Sequence, residues 1–212
     1  MGFLKTITRY IFPRKCIGCK TPDFWICEKC ISLLPKSLDN PFPWSASIFE
    51  YSNKVIKKAI WLMKFNGKHS VLVDLEEILK SSFLDFLEKK KLSGKEIILI
   101  PIPITKRSMA KRKYNQSLIL AKIISKNIKC VEVKDSILEK TKNHLSQNKI
   151  KNRSQRLDNV KNSFYVKNPK EISGKIVILI DDVTTTGATL FEARKILKES
   201  GAKKVLGFTL AH

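Results

Sequence analysis

Two adjacent carboxylates, Asp181 and Asp182, are followed by Thr184, Thr185, Thr186, Gly187, Ala188 and Thr189. An apolar strand pattern over 175–180 precedes this run, and a helical pattern over 189–200 follows it. Such a strand-to-helix turn offers free backbone N–H groups and a favourable helix dipole to an anion. Small hydroxyl residues and one glycine let the backbone wrap a phosphate closely, and the threonine hydroxyls add donors. The two carboxylates, expected just above the strand end, can accept hydrogen bonds from vicinal hydroxyls or share a divalent ion with them. The combination suits a phosphorylated sugar. A Gly-Lys-Ser/Thr nucleotide loop is absent, and a helix cap needs one Ser, Thr or Asp rather than this whole array.

A second chemical cluster lies near the N-terminus, in Cys16-Ile-Gly-Cys19 and Cys27-Glu-Lys-Cys30. Two C-x₂-C pairs joined by a short loop can converge four thiolates on one tetrahedral metal, and Gly18 relieves the first turn. Few apolar residues surround them, so a metal would supply most of the local folding energy, with zinc the best match to four thiolates. Two disulfides would need an oxidising compartment. A redox C-x-x-C would open a helix of a larger fold and would not come paired. Cys130 stands apart beside Ile128 and Val131 and reads as a small apolar core residue. Phe24, Trp25 and Trp44 read first as apolar cover for the metal knuckles, and second as bases' stacking partners.

The charge is strongly basic: 41 Lys and Arg against 19 Asp and Glu, a net +22, with only seven arginines. Such a field steers polyanions, although a lysine-rich surface also arises from composition alone. Its distribution is more informative. Ile100-Pro101-Ile102-Pro103 runs into Lys106, Arg107, Lys111, Arg112 and Lys113 with no intervening acid. In a parallel sheet this turn shares an edge with the Asp pair, so Lys106 and Arg107 are expected to contact a pyrophosphate, directly or with Mg²⁺. Lys111, Arg112 and Lys113, together with Lys149 and Lys151, are the candidate nucleic-acid contacts.

The elements that must position these groups alternate. A proline-rich stretch over 34–44 reads as an extended connection. Phe49–Tyr51 reads as a short strand, and Asn53–Phe65 and Val71–Leu92 read as helices. Glu96–Pro103 is an apolar strand, Asn115–Asn127 a helix capped by Asn115, and Val131–Leu138 a strand. Lys175–Ile180, Thr189–Ser200 and Lys203–Leu210 complete the series. Strands apolar on both faces, separated by helices, predict an α/β domain with a parallel sheet. The division expected is a four-cysteine zinc module with its linker over 1–45, then an α/β domain over 46–212. The polar, basic segment Glu139–Asn162 is long enough to be a functional loop. It is a candidate lid, with Gln147, Arg153 and Arg156 contacting an anionic ligand. No stretch is long and apolar enough to span a bilayer, and no secretory leader is evident, so the expected location is the cytoplasm.

The stretch Val-Ile-Leu-Ile-Asp-Asp-Val-Thr-Thr-Thr-Gly-Ala-Thr-Leu resembles the signature of type I phosphoribosyltransferases. In that family the acidic pair holds the ribose 2′- and 3′-hydroxyls and the following turn holds the 5-phosphate. The four cysteines, the Tyr51/Lys64 segment, Ile-Pro-Ile-Pro and Tyr-Asn-Gln-Ser-Leu add to this likeness. So does the order Gln147, Arg153, Arg156, Asn159, Phe164. Together they make the chain resemble the ComF (ComFC) competence proteins. It departs where family members carry arginines and Gly-Phe before Asn-Gln; here lysines and Lys113-Tyr114 stand, which weakens bidentate phosphate clamping.

The resemblance implies a type I phosphoribosyltransferase-like fold and a cytoplasmic role in natural transformation. It implies single-stranded DNA as partner, a ComFA-like helicase beside it, and phosphoribosyl diphosphate or a related ribose 5-phosphate as ligand, with Mg²⁺. The alternative is an active phosphoribosyltransferase, or an amidophosphoribosyltransferase-like enzyme, of nucleotide metabolism or salvage. No acceptor site for a base or amine is recognisable in the chain. No cysteine nucleophile follows Met1, so a glutaminase half is not expected. The catalytic residues are left unassigned.

Overall fold

The computed structural model describes residues 14–37, 42–141 and 163–212. Five strands form one parallel sheet in the order β1 (Ser45–Phe49), β7 (Lys204–Ala211), β6 (Ile176–Val183), β2 (Ile97–Pro101), β3 (Val131–Val133). Residues alternate between two apolar layers, as the period of a strand requires. Leu99, Ile178, Ile180 and Phe208 enter one core together with helix α2 (Lys54–Phe65), helix α4 (Glu76–Lys89) and helix α6 (Gln116–Ser125). Ile98, Ile100, Val177 and Leu179 enter the other, beneath helix α7 (Ala188–Glu199). Burial on both faces explains why these strands read as continuous apolar runs.

Several boundaries differ from the sequence reading. The strand expected at 49–51 lies earlier, because Ser45, Ala46, Ser47 and Phe49 pair with Gly207, Phe208, Thr209 and Ala211. The helix expected over 71–92 breaks at Leu75, leaving α3 (Val71–Asp74) before α4. The strand expected over 131–138 ends in the main sheet after Val133. Beyond a polar bend, β4 (Leu138–Lys140) pairs antiparallel with β5 (Phe164–Val166) in a separate hairpin. Glu139 and Lys140, read as the start of a loop, are therefore strand residues. The strand expected to stop at Ile180 continues through the acidic pair, since Asp181 and Val183 still pair with Thr209 and Ala211.

The cysteine segment packs on this frame. Its short helix α1 (Glu28–Ser32) follows Cys27. Ile26 and Leu34 bury in the same core as Ile56, Leu72 and Leu75. Asp74 accepts hydrogen bonds from the backbone N–H of Trp25 at 2.6 Å and of Ile26 at 3.2 Å, and the Trp25 indole donates to Ser70 Oγ at 2.9 Å. Ser37 N–H donates to Ile48 O, and Lys36 faces Phe49 in an isolated antiparallel bridge, so the segment touches β1 without extending the sheet.

Candidate functional site

The parallel order carries the C-terminal ends of β2 and β6 to one edge, where most of the expected site residues gather. Asp182 shares the parity of Ile178 and Ile180, whose face carries α2, and its Oδ2 lies 2.9 Å from Lys64 Nζ. Asp182 is buried, so salt and solvent screen this pair less than an exposed one. Asp181 takes a different partner. Its Oδ1 accepts from Ser117 Oγ at 2.9 Å and from the Asp182 N–H at 2.9 Å. Burial and the neighbouring Asp182 carboxylate push the Asp181 carboxyl up to about 7, against the opposing pull of Lys64 and Ser117. A cation bound beside it would favour the ionised carboxylate and pull this value back down.

The segment Tyr114-Asn115-Gln116-Ser117 is a clasp for this edge. Asn115 caps α6 through Ser117 N and donates its amide to Ile102 O at 3.0 Å. Tyr114 Oη and Gln116 Nε2 both donate to Met63 O, at the end of α2 that carries Lys64. One tetrapeptide thus ties the β2 end, α2 and Asp181 together. Lys113, just before it, holds a left-handed φ of +65° that ends helix α5 (Lys106–Arg112).

After the acids the chain turns from β6 into α7. Thr184 is buried, with its N–H on Ala211 O and its carbonyl 3.2 Å from His212 Nδ1. Thr185 is exposed, and Thr186 and Thr189 are half-buried. Gly187 turns the chain with φ +75° at the start of α7, and the Ala188 N–H makes only a long 3.5 Å contact with Thr186 Oγ1. The first-turn N–H groups of a helix are positions at which an anion can be held. Phe42 lies against Gly187: a Cβ there would stand 2.2 Å from its ring. Phe42 stacks with Trp44 and meets Phe191 edge-on, so Trp44 covers the cradle's helix rather than the metal knuckles.

Lys106 and Arg107 occupy the first turn of α5, capped by Thr105, and both are exposed at the same sheet edge. Lys106 also lies near Glu139 of the hairpin, whose carboxyl is held low first by the Tyr165 hydroxyl and then by Lys167, with Lys106 adding less. Lys111 and Arg112 sit at the other end of α5, their charges 5.5 and 5.8 Å from the Phe65 ring. Lys140, not singled out from sequence, projects from the hairpin toward this site. Burial lowers its ammonium pKa, opposed by the charge of Asp181. Gln147, Lys149, Lys151, Arg153 and Arg156 lie outside the described residues.

The four cysteines converge, with all four sulfurs within 4.8 Å of one another and Cys19 and Cys27 at 3.4 Å. A tetrahedral ion with bonds of about 2.3 Å sets its sulfurs about 3.8 Å apart, so the cluster fits a metal. Gly18 is required by contact: a Cβ there would lie 2.7 Å from Cys30 Sγ. Crowding separates the thiols. The Thr21 hydroxyl brings Cys19 down to about 6, whereas hydrogen bonding to Cys19 and burial push Cys30 up to about 12. Cys130 is half-buried against the core. Trp25 is tied to Ser70 and Asp74, and Phe24 is exposed.

The sequence reading missed Ser117 and Lys64 as the partners of the two acids. Both lie in segments it had singled out, Tyr-Asn-Gln-Ser-Leu and Tyr51/Lys64, but nothing local says that they meet Asp181 and Asp182.

Among the described residues no helix is long and apolar enough to cross a membrane. The phosphoribosyl transferase domain family matches residues 114–211. Competence protein ComFC of Streptococcus pneumoniae is 34% identical over 164 residues, 77% of this chain and 66% of that protein. Competence protein ComFC of Bacillus subtilis is 29% identical over 216 residues, 98% of this chain and 80% of the relative. The DNA utilization protein YhgH of Escherichia coli O157:H7 is 26% identical over 201 residues, 90% and 85% of the two chains. The chain thus spans about two thirds of the pneumococcal protein's length.

Proposed function

This chain belongs to the ComFC family of phosphoribosyltransferase-like proteins, and we propose that it handles incoming single-stranded DNA in natural transformation while its sheet-edge pocket binds phosphoribosyl diphosphate or a related ribose 5-phosphate. One observation carries the pocket. Each acid of the pair has its own partner, Lys64 or Ser117, directly before a glycine-turned helix start whose first N–H makes only a long 3.5 Å contact with Thr186 Oγ1. In this reading Asp181 and Asp182 accept from the ribose hydroxyls, and the backbone of Thr184–Thr189 takes the 5-phosphate. Lys106 and Arg107 neutralise the pyrophosphate, with Mg²⁺ supplying further charge. The DNA role rests on the competence relatives and on the net charge of +22.

Zinc is the proposed occupant of the four-thiol cluster, where Cys16, Cys19, Cys27 and Cys30 would hold it in a closed, structural site. The protein works in the cytoplasm beside a ComFA-like helicase.

The pocket is tested by calorimetric titration of phosphoribosyl diphosphate with Mg²⁺ into the wild type and into Asp181→Asn/Asp182→Asn. The double variant is expected to lose at least about tenfold in affinity, the loss of one to two charge-assisted hydrogen bonds. Unchanged binding would remove the sugar from this edge. Pyrophosphate release on adding candidate base or amine acceptors would establish an active transferase instead of a binding pocket.

A further inference from the structure

We propose that the outer face of α2 is a groove for single-stranded DNA, linked to the acidic pair through Lys64. The inference rests on the DNA-handling reading and adds to it a surface and a coupling.

Helix α2 carries Lys54, Lys57, Lys58 and Lys64 and no acid. Its inner face buries Ile56, Ala59, Ile60, Leu62 and Met63, which fully accounts for its packing. Trp61 and Phe65 nevertheless stand on the outer face, 44% and 53% exposed. Burying such rings is worth roughly 1.5–3 kcal/mol each, so two of them left open, one helical turn apart, suggest a ligand that covers them. Their centroids are 6.2 Å apart, beside a cavity of about 500 Å³.

Cations flank every ring. Lys58 Nζ is 4.1 Å from Trp61, Lys57 Nζ is 5.8 Å from Tyr51, and Lys111 and Arg112 approach Phe65 from α5. Alternating rings and cations complement a polymer that alternates bases and phosphates. An apolar protein helix would have to desolvate these lysines, and a duplex presents no free base faces.

Lys64 lines the same cavity and is half-buried, with its ammonium on Asp182. A phosphate that draws Lys64 outward leaves Asp182 without its cation and raises the demand of the acidic pair for a divalent ion. By reciprocity, Mg²⁺ at that pair releases Lys64 to the strand.

The test is a fluorescence anisotropy titration of a labelled oligothymidylate with the full chain at low salt, with circular dichroism to verify folding of each variant. Trp61→Ala and Phe65→Ala are each expected to weaken binding about tenfold, as loss of one base stack does, while Trp61→Phe retains most of it. Lys58→Ala should reduce the salt slope by about 0.7, one phosphate's share. Lys195→Ala, on the outer face of α7, should weaken binding far less than Trp61→Ala. At constant ionic strength, the Mg²⁺ dependence of affinity should differ between the wild type and Asp182→Asn. No binding by the wild type would defeat both the DNA-handling reading and the groove. Binding that Trp61→Ala and Phe65→Ala leave intact would defeat the groove alone, and equal Mg²⁺ dependence would defeat the linkage.

Discussion

Asp181 is where the electrostatics of the site become measurable. Its folded-state pKa of about 7 stands above the ordinary value of 3.8, mainly because burial penalises the charge and Asp182 repels it. A carboxyl raised on folding binds a proton in the native state that the unfolded chain has already lost. The stability that this group contributes therefore falls as pH rises from about 4 through about 7. Asp181→Asn keeps an oxygen to accept from Ser117 and removes the charge. Its unfolding free energy is expected to exceed the wild type's above pH 7, by at most about 4 kcal/mol, and the gain should vanish near pH 4. Chemical denaturation across that pH range checks both limbs; a gain independent of pH would mean that the carboxyl is ionised at no cost.

At the scale of elements, Asp74 shows how a small segment is attached to a larger one. It closes α3, the short helix split from α4, and one of its carboxylate oxygens takes the N–H groups of both Trp25 and Ile26. Hydrogen bonds to a charged acceptor contribute about 1.5–3 kcal/mol each. Because one half-buried oxygen serves both, the second at 3.2 Å, the two are worth less than their sum, and Asp74→Ala is expected to destabilise the protein by about 2–3 kcal/mol. It should also raise amide exchange at Trp25 and Ile26 ahead of the β-sheet. Exchange that rises uniformly instead would mean that the attachment lies in the apolar contacts. The break at Leu75 that creates α3 was not legible, because 71–92 keeps a helical apolar pattern throughout. The split of 131–138 between two sheets was equally hidden, since a short apolar strand carries no label for the sheet it joins.

For the whole molecule, the question is whether the cysteine segment melts alone. Ile26 and Leu34 share a core with α2 and α4, so removal of a bound metal should be felt beyond residue 34. A strong chelator added to the metal-loaded protein is expected to lower the melting temperature of one cooperative transition by several degrees or more, as about 1–2 kcal/mol of lost stability does in a chain of this size. Two separated transitions in calorimetry would instead mark the segment as an independent unit. The net +22 belongs to this scale too. It supplies long-range attraction, while the ring-and-lysine face of α2 supplies a place for it to act.

The sequence by itself determined the features whose parts are neighbours along the chain. The cysteine knuckles, the acid-threonine-glycine turn, the Asn115 cap and the apolar strands each depend on local spacing and backbone hydrogen bonding. Only the tertiary structure decided which groups face one another across the sheet edge. Lys64 meets Asp182 and Ser117 meets Asp181 because parallel strands deliver their C-terminal ends to one edge, and the hairpin brings Lys140 near Asp181. That convergence is a property of the packed sheet. It turns the opening carboxylate pair from a local motif into a charged site with named partners.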